Sequence, residues 1–402
     1  MKAIRHAVVL AAIAICASGS AHAQAGSEFT RQELEILRSL TLSSLPKLPP
    51  DPTNKYGDDP RAADFGHRLF FEKRLSSNGK VACATCHEPQ RDFTDGKPVA
   101  IGVGVTPRNA PTVIGAAYNM WFFWDGRKDS QWSQALASME NPLEQNMPRD
   151  RLVAAIRANP DLSHGYAAIF GPLPAAGDAD GINRAFANVG KAIAAYERRI
   201  MPGRGKFDRY VDAVLAERKP APADDFTLDE LQGLHIFITD QTGRCLRCHN
   251  GPLFTNQHFH NIGVAEPARH DLEAGRLAGI EKARDDVFNC LGKYSDARPE
   301  DCAELTFARR NSPELLGAFK VPTLRNLPKT GPYMRVGDRT TIEDVLWHYR
   351  EMPGARVGEN ELATFTITPT EFLQLEAFLR TLDGPIDAPA RYLHPPEAAP
   401  GN

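Results

Sequence analysis

The chain has 402 residues, a formal net charge of −3 at pH 7 and 24% charged residues. That length is sufficient for two domains, and the weakly negative charge excludes nucleic-acid binding through a strongly basic surface. Glycine and proline are somewhat frequent, at 31 residues each, and long β-branched alternations are rare. The composition therefore favours a mainly α fold whose helices are joined by long loops.

The N-terminus is predicted to be a cleaved export signal spanning residues 1–23. Lys2 and Arg5 precede an apolar run over residues 7–17, and Ala21-His22-Ala23 fits a small-x-small cleavage site. The apolar run is too short to span a bilayer, and no other segment resembles a membrane span. We therefore expect a soluble protein exported to the periplasm.

Helical periodicity recurs along the rest of the chain. The Lys-Pro-Ala-Pro stretch at 219–222 is predicted to be a linker. It divides an N-terminal domain at 24–220 from a C-terminal domain at 221–402. A loop is predicted at 172–181, and the Pro- and Ala-rich tail after Pro385 is expected to be extended. The predicted helices span 61–71, 149–158, 183–200, 227–237 and 369–382.

Each predicted domain contains the pentapeptide C-x-x-C-H, as Cys83-Ala84-Thr85-Cys86-His87 and as Cys245-Leu246-Arg247-Cys248-His249. This spacing is a signature of covalent c-type haem attachment. On one helical turn, two thiols three residues apart can bond the porphyrin while the adjoining histidine ligates the iron. Half of a zinc site or a redox C-x-x-C is the alternative, but a zinc site usually brings two such pairs close together in sequence. Two covalent haems c are therefore expected.

The remaining cysteines suit one disulfide. Cys16 leaves with the predicted signal and four cysteines hold haem, which leaves Cys290 and Cys302. An oxidising compartment permits their pairing. Two unpaired thiols stay an alternative, because spacing alone does not give the geometry of a disulfide.

Further motifs surround the two haem signatures. Residues 104–112 read Gly-Val-Thr-Pro-Arg-Asn-Ala-Pro-Thr, and residues 123–127 read Phe-Trp-Asp-Gly-Arg. Val-Pro-Thr-Leu-Arg-Asn follows at 321–326, and Gly-Pro-Tyr-Met at 331–334. In this order the motifs resemble the bacterial di-haem cytochrome c peroxidase and MauG superfamily, from about residue 64 to 382. The resemblance implies two cytochrome c-like helical domains, with peroxide reacting at the N-terminal haem and electrons relayed by the C-terminal haem.

The sixth ligand of the C-terminal haem iron distinguishes the branches of that superfamily. Peroxide-reducing members place a Met at a fixed interval after the Pro-Tyr motif, and here that interval ends at Tyr349, as in the branch of MauG and MbnH. An anionic phenolate stabilises oxidised iron, whereas Met favours ferrous iron. Met334 and Met352 are rival ligands, and a core tyrosine with a bonded hydroxyl is the alternative role for Tyr349.

Local pattern agrees that Tyr349 faces inward. Thr340-x-x-Glu343 predicts a capping box at the start of a helix. Ile342, Val345, Leu346 and Tyr349 then share one helical face, and His348 lies about 100° around that helix.

The resemblance also implies an open N-terminal haem. Many peroxide reductases carry an iron-blocking His where this chain has Val103, which has no ligand atom. Gln134 and Glu144 match the distal residues of the family, and a carboxylate there can move a proton on bound peroxide. A solvated acid at a helix end is the alternative for Glu144. The distal Pro of the family corresponds to Ser138, which leaves the shape of the pocket open.

Several other residues match positions of the family. Trp124 matches the tryptophan that couples the two haems, while Trp121, Trp132 and Trp347 are expected in packing or at the surface, with one as a station for electrons. A calcium site between the haems is implied for Asn109, Thr330 and Pro332. Structural or exposed roles are expected for the histidines at 67, 164, 235, 258, 260 and 270.

Together these features predict a haem-dependent peroxidase-type oxidoreductase. Tyr349 and Val103 favour an enzyme of the MauG and MbnH branch, which uses hydrogen peroxide to form a high-valent di-haem state and oxidises a residue, expected to be Trp, of a small exported partner protein. The alternatives are a peroxidase that takes electrons from a small cytochrome or cupredoxin, and a pure electron carrier. Glu144 beside an open iron disfavours the carrier.

Overall fold

The computed structural model describes residues 28–239, 244–264, 273–362 and 366–397. Within these ranges the chain is mainly helical, which confirms the predicted fold class. The predicted signal peptide, Cys16 and His270 lie outside the described residues. The helices are α1 (Arg31–Leu40), α2 (Pro60–Phe71), α3 (Cys83–Cys86), α4 (Gln131–Glu140), α5 (Arg149–Ala158), α6 (Pro160–Phe170), α7 (Ala179–Glu197), α8 (Lys206–Leu215), α9 (Leu228–Ile238), α10 (Arg276–Asp285), α11 (Ala303–Thr306), α12 (Ile342–Glu351) and α13 (Pro369–Arg380).

Short antiparallel strand pairs join distant parts of the chain. Strand β1 (Met201–Pro202) pairs with β4 (Ile386–Asp387), and β2 (Phe259–His260) pairs with β3 (Phe319–Lys320). The helices predicted from sequence correspond to α2, α5, α7, α9 and α13, with ends shifted by about one turn or less. Helix α7 begins inside the predicted loop because the Asp178 side chain accepts a hydrogen bond from the Gly181 amide and caps it.

Capping residues set the starts of the helices that matter for the site. Thr227 and Glu230 form a reciprocal capping box at the start of α9. The predicted box at Thr340 is wrong by one residue, because α12 is capped by Thr341 and Asp344. The Asp344 carboxylate accepts hydrogen bonds from the backbone amides of both Thr340 and Thr341, at 3.0 and 2.9 Å.

The molecule has two hydrophobic cores, and each is built around one crossing of two helices. In the first core α2 packs on α7, and in the second α9 packs on α13. At each crossing a glycine lets the backbones meet. A Cβ on Gly66 would lie 1.8 Å from the Ala192 carbonyl oxygen, and one on Gly233 would lie 1.9 Å from that of Gln374. Each half therefore holds the helix before its C-x-x-C-H motif directly against the last long helix of its core.

Each end of the chain packs in the core of the opposite half. Phe29 and α1 pack in the second core together with α8, although both helices precede the predicted linker at 219–222. The tail after Pro385, which was expected to be extended, pairs through β4 and then packs on the first core. Tyr392 is buried there, and its carbonyl oxygen accepts a hydrogen bond of 2.8 Å from the Tyr196 hydroxyl. This packing favours a boundary nearer Gly205 than residue 220.

A third, smaller cluster covers the side of the first half. It contains Trp121, residues of α10 and α11, and Cys290 and Cys302, which the structure joins in a disulfide with a Cα–Cα distance of 5.7 Å. The Cys290 amide donates to Asp129 at 2.7 Å, so the segment closed by this disulfide is bonded to the first half. No helix of the described residues is long and apolar enough to cross a membrane.

Candidate functional site

The first C-x-x-C-H motif forms a single helical turn, α3, followed directly by His87. The Nδ1 atom of His87 lies 3.1 Å from the Phe93 carbonyl oxygen, which is the arrangement in which Nδ1–H donates. That tautomer leaves Nε2 with its lone pair for a metal. Burial lowers the pKa of His87, so the ring is neutral and suited to ligation.

The second motif repeats this arrangement. Cys245–Arg247 forms a 3₁₀ turn, and His249 Nδ1 lies 3.0 Å from the Phe254 carbonyl oxygen. Burial lowers the pKa of His249 to about 4. The four motif cysteines, Cys83, Cys86, Cys245 and Cys248, are all free thiols rather than disulfide partners.

A repeated turn holds both histidine-binding carbonyls, and sequence reasoning missed it. Phe93 and Phe254 both have left-handed backbone conformations, with φ of 57° and 51°. The carbonyl just before each one accepts a hydrogen bond of 2.7 Å from a threonine hydroxyl, Thr112 in the first half and Thr323 in the second. The available signal was the Phe-Thr dipeptide that follows each C-x-x-C-H at almost equal spacing.

Tyr349 lies in the second core, with its phenol toward the second C-x-x-C-H motif. Burial, followed by the nearby sulfurs of Cys248 and Cys245, raises the pKa of the Tyr349 hydroxyl. Within the described residues that hydroxyl has no hydrogen-bond partner, unlike the neighbouring His348, whose Nε2 lies 2.7 Å from the Ile262 carbonyl oxygen. Met352 ends α12 in a left-handed conformation.

The structure brings Val103 and Glu144 together near the first motif. The Val103 amide donates to the Glu144 carbonyl oxygen at 2.7 Å, and the Gly104 amide donates to that of Leu143 at 2.9 Å. A Cβ on Gly102 would lie 2.5 Å from the Glu144 carbonyl oxygen, so only glycine permits this close contact. The loop at 101–104 is therefore fixed against the segment that carries Glu144.

Gln134 and Glu144 are linked through Ser138. The Gln134 amide nitrogen donates to the Ser138 hydroxyl at 3.2 Å, and that hydroxyl is close enough to the Glu144 carboxylate to lower its pKa. The Asn141 amide also donates to that carboxylate at 2.6 Å. Burial raises the pKa of Glu144, while its hydrogen bonds and the positive charge of Arg127 lower it. Ser138, which stands where the family has its distal Pro, therefore contributes a hydroxyl to this cluster.

Trp124 lies at the contact between the two halves. Its indole N–H donates to the Asn109 carbonyl oxygen at 3.1 Å, and its own carbonyl accepts from the Lys320 amide at 2.8 Å. The indole is therefore held by the first half while its backbone is bonded to the second.

The residues implied for calcium come from segments that the fold brings together. The Asn109 amide donates to the Arg335 carbonyl oxygen at 2.9 Å, only a few residues after Thr330 and the cis-Pro332. The Asn109 side-chain nitrogen donates to the Lys97 carbonyl oxygen at 2.9 Å, which leaves its amide oxygen available as a ligand. Among the described residues, no group of three or more His, Cys, Asp or Glu side chains is placed to hold a metal ion.

The other tryptophans divide by exposure. Trp121 and Trp132 are buried, at 4% and 0% exposure, whereas Trp347 is 42% exposed.

Three of the histidines that were expected to be structural or exposed have protein partners. His67 contacts the His394 carbonyl at 2.8 Å, His235 contacts Glu33 at 3.3 Å, and His260 contacts Glu361 at 2.7 Å.

The residues present fit one covalently bound haem in each half. Both thiol pairs lie on a single turn, both histidines have Nδ1 occupied and Nε2 available, and the thiols are unpaired. Near the second motif Tyr349 offers a phenol that no described residue hydrogen-bonds. Near the first motif, the loop at 101–104 offers no side chain with a ligand atom.

Two such sites on a helical scaffold define a di-haem c-type cytochrome. The family model described as di-haem cytochrome c peroxidase matches residues 60–214. The chain is 31% identical to methylamine utilization protein MauG of Methylorubrum extorquens, over 95% of this chain and 96% of that protein. It is 30% identical to cytochrome-c peroxidase IdrP1 of Denitromonas iodatirespirans, over 83% and 85% respectively.

A solved structure shows the same fold. The MauG-like protein associated with microbial copper homeostasis has a TM-score of 0.62 and 25% identity, covering 88% of this chain and 97% of that one. The chain belongs to the di-haem cytochrome c peroxidase and MauG family, which confirms the resemblance seen in the sequence. It is a haem-dependent oxidoreductase of the peroxidase type, and membership implies two haem c groups.

Proposed function

We propose that this protein is a periplasmic enzyme that uses hydrogen peroxide to oxidise a tryptophan of a small exported partner protein. The observation that carries the proposal is Tyr349, a partly buried phenol near the Cys245 and Cys248 thiols that has no hydrogen-bond partner among the described residues. The relative named MauG and the MauG-like structural neighbour support the same branch. Peroxide takes up two electrons and two protons and gives two waters. The partner residue loses those two electrons, gains one oxygen from water and releases two protons.

The side chains near the first motif are suited to proton transfer. When bound, the haems supply the iron that reacts with peroxide and retain its oxidising equivalents. The Glu144 carboxylate takes a proton from peroxide and returns it to the leaving oxygen. Asn141 and Ser138 hold that carboxylate in position, and Gln134 holds Ser138.

Electrons are proposed to enter from the partner through Trp347. This side chain is exposed and lies on α12, two residues before Tyr349. Its indole N–H donates to Glu343 at 3.3 Å, which provides an acceptor for the proton when the indole loses an electron. The Arg350 guanidinium lies 4.9 Å from the ring. Trp124 then couples the two haems.

Calcium binding at Asn109, Thr330 and Pro332 belongs to the same proposal. A side-chain amide and backbone carbonyls are oxygen ligands of the kind that calcium prefers. The bond between Asn109 and the Arg335 carbonyl keeps the two ligand segments close. A calcium ion there would stabilise the contact between the halves next to Trp124.

A second candidate function is peroxide reduction with electrons from a small cytochrome or cupredoxin. The similarity to a protein named cytochrome-c peroxidase favours it. In that case the partner would be a reversible electron donor and would keep its mass.

The test is peroxide treatment of the fully ferric, haem-loaded protein with candidate exported partners, followed by intact mass spectrometry. The proposal predicts a partner whose mass increases by added oxygen, and no increase with Tyr349→Phe. Tyr333→Phe is the matched control, because it removes a phenol of the same core that is bonded to the Leu327 carbonyl at 3.0 Å. Rapid peroxide consumption with a reduced cytochrome and an unmodified partner would favour the second function instead.

A further inference from the structure

Lys320 is a partly buried cation that no described residue neutralises. It lies on β3 in register with Phe259 of β2, and only part of its surface is accessible. Within the described part of the chain its ammonium group has no ion pair and no hydrogen bond. Burial lowers its pKa to about 8, and no nearby carboxylate opposes that shift. An ammonium partly removed from water without a counter-charge is unfavourable, so such a group is suited to binding an anion.

The position of Lys320 is at the contact between the halves. Its amide donates to the Trp124 carbonyl at 2.8 Å. The next residue, Val321, is bonded to the loop that follows the second motif: its amide donates to His258 at 2.9 Å, and its carbonyl accepts from Thr255 at 2.7 Å. Thr255 directly follows Phe254, whose carbonyl orients His249. Lys320 therefore lies between the inter-half tryptophan and the second haem-attachment loop.

The carboxylate near β3, that of Glu273, is already paired with arginines. Arg108 and Arg335 flank the ring of Phe319, at 5.6 and 4.1 Å. Glu273 pairs with Arg108 and also lies 3.7 Å from Arg335. Arg276, a buried cation nearby, donates to the Gly126 carbonyl at 2.6 Å and stacks on Phe259. Among the described residues these three cations have partners, and Lys320 does not.

We propose that the Lys320 ammonium binds a haem propionate at the contact between the two halves. Each haem carries a pair of propionate carboxylates, and these are the anions that covalent haem attachment brings into this protein. The ion pair completes the charge balance around β3 and places a fixed positive charge on the edge of one haem. It requires only the two haems, so it stands apart from the proposed partner oxidation.

The experiment measures the midpoint potentials of both haems by spectroelectrochemistry in the haem-loaded protein, without peroxide or partner. Lys320→Met removes a cation that favours ferrous iron, so one potential should fall. A unit charge about 10 Å from a redox centre, at an effective dielectric constant of about 20, changes the ferrous-to-ferric ratio about tenfold. Tenfold corresponds to about 59 mV for one electron. Resonance Raman propionate bending bands should shift in the same variant.

Matched variants separate the ion pair from a general effect on folding. Lys320→Arg keeps the charge and should keep the potential, and Lys219→Met removes a charge from the exposed linker and should leave both haems unchanged. If Lys320→Met does not retain haem, Lys320→Gln serves as the neutral variant. A neutral variant with both haems attached, unchanged potentials and unchanged propionate bands would overturn the inference.

Discussion

At the scale of single residues, hydrogen bonds determine which atoms are available to iron. The Phe93 and Phe254 carbonyls occupy Nδ1 of His87 and His249, which leaves Nε2 for the metal. On α12 the same logic separates two neighbours. The imidazole of His348 is bonded to a backbone carbonyl, whereas the phenol of Tyr349 has no partner in the part of the chain that the structure describes. Among these two side chains, the available ligand is therefore the tyrosine.

The first prediction concerns Tyr349 as a ligand of the C-terminal haem. Electron paramagnetic resonance of the ferric protein should show one high-spin and one low-spin haem, and Tyr349→Phe should remove the low-spin signal because it removes the phenolate. His348→Gln is a useful comparison, since that imidazole is bonded to the Ile262 carbonyl and should not affect the signal. A low-spin signal that survives in Tyr349→Phe would exclude Tyr349 as the ligand and leave Met334 and Met352 as the candidate ligands.

The second prediction concerns Glu144 as the acid–base group. Glu144→Gln should slow the reaction with peroxide by roughly 10²–10⁴-fold, the usual loss for a positioned proton-transfer group. The carboxylate is the active base, so the wild-type rate should rise with pH through the Glu144 pKa. Burial raises that pKa, so the increase in rate should occur at a higher pH than the ordinary pKa of a glutamate would give. Glu359→Gln at the surface is the control, and equal rates in both variants would contradict the assignment.

At the scale of elements, the two halves depend on close helix crossings. Gly66 and Gly233 each stand where a side chain would overlap a backbone carbonyl of the facing helix. Hydrophobic periodicity cannot show such a contact, because it identifies the buried face and not the distance between two backbones. The crossings fix the helix that precedes each attachment turn, and with it the position of the histidine.

The third prediction follows from these crossings. Gly66→Ala and Gly233→Ala should each lower the free energy of unfolding by about 1–3 kcal/mol, because the helices must separate to admit the methyl group. Denaturant unfolding of the haem-loaded protein measures this difference. Gly354→Ala is the control, since its added Cβ would meet nothing within 4 Å. Wild-type stability in both crossing variants would show that the helices separate without cost.

Local patterns predicted the elements that carry the haems, and the structure agrees for α2, α9 and the C-x-x-C-H turns. The cap of α12 was misplaced because Asp344, one residue beyond the expected Glu343, reaches both threonine amides. The proximal turns at Phe93 and Phe254 were missed, since a left-handed phenylalanine has no propensity signal. Contacts between distant segments, such as the link from Gln134 through Ser138 to Glu144, depend on tertiary packing that one sequence does not reveal.

At the scale of the whole molecule, each half is completed by the other end of the chain. Helix α1 packs in the second core, and the tail that carries Tyr392 packs in the first. Asn326 adds a direct link, because its amide donates to Asp92 at 2.9 Å, beside the turn that orients His87. The two attachment sites are therefore fixed relative to each other, which suits the electron transfer through Trp124 that the proposed function requires.

The final prediction is that the fully ferric protein reacts with hydrogen peroxide without prior reduction, because Val103 has no atom that could block the first iron. Stopped-flow absorption after mixing with peroxide should show a rapid Soret change. Val103→His should slow that change, and partial reduction should restore it. The Val103 amide is bonded to the Glu144 carbonyl at 2.7 Å, so the substitution keeps the loop in place. If the ferric wild type ignores peroxide while the half-reduced form reacts rapidly with a reduced cytochrome, the peroxide-reducing function is correct.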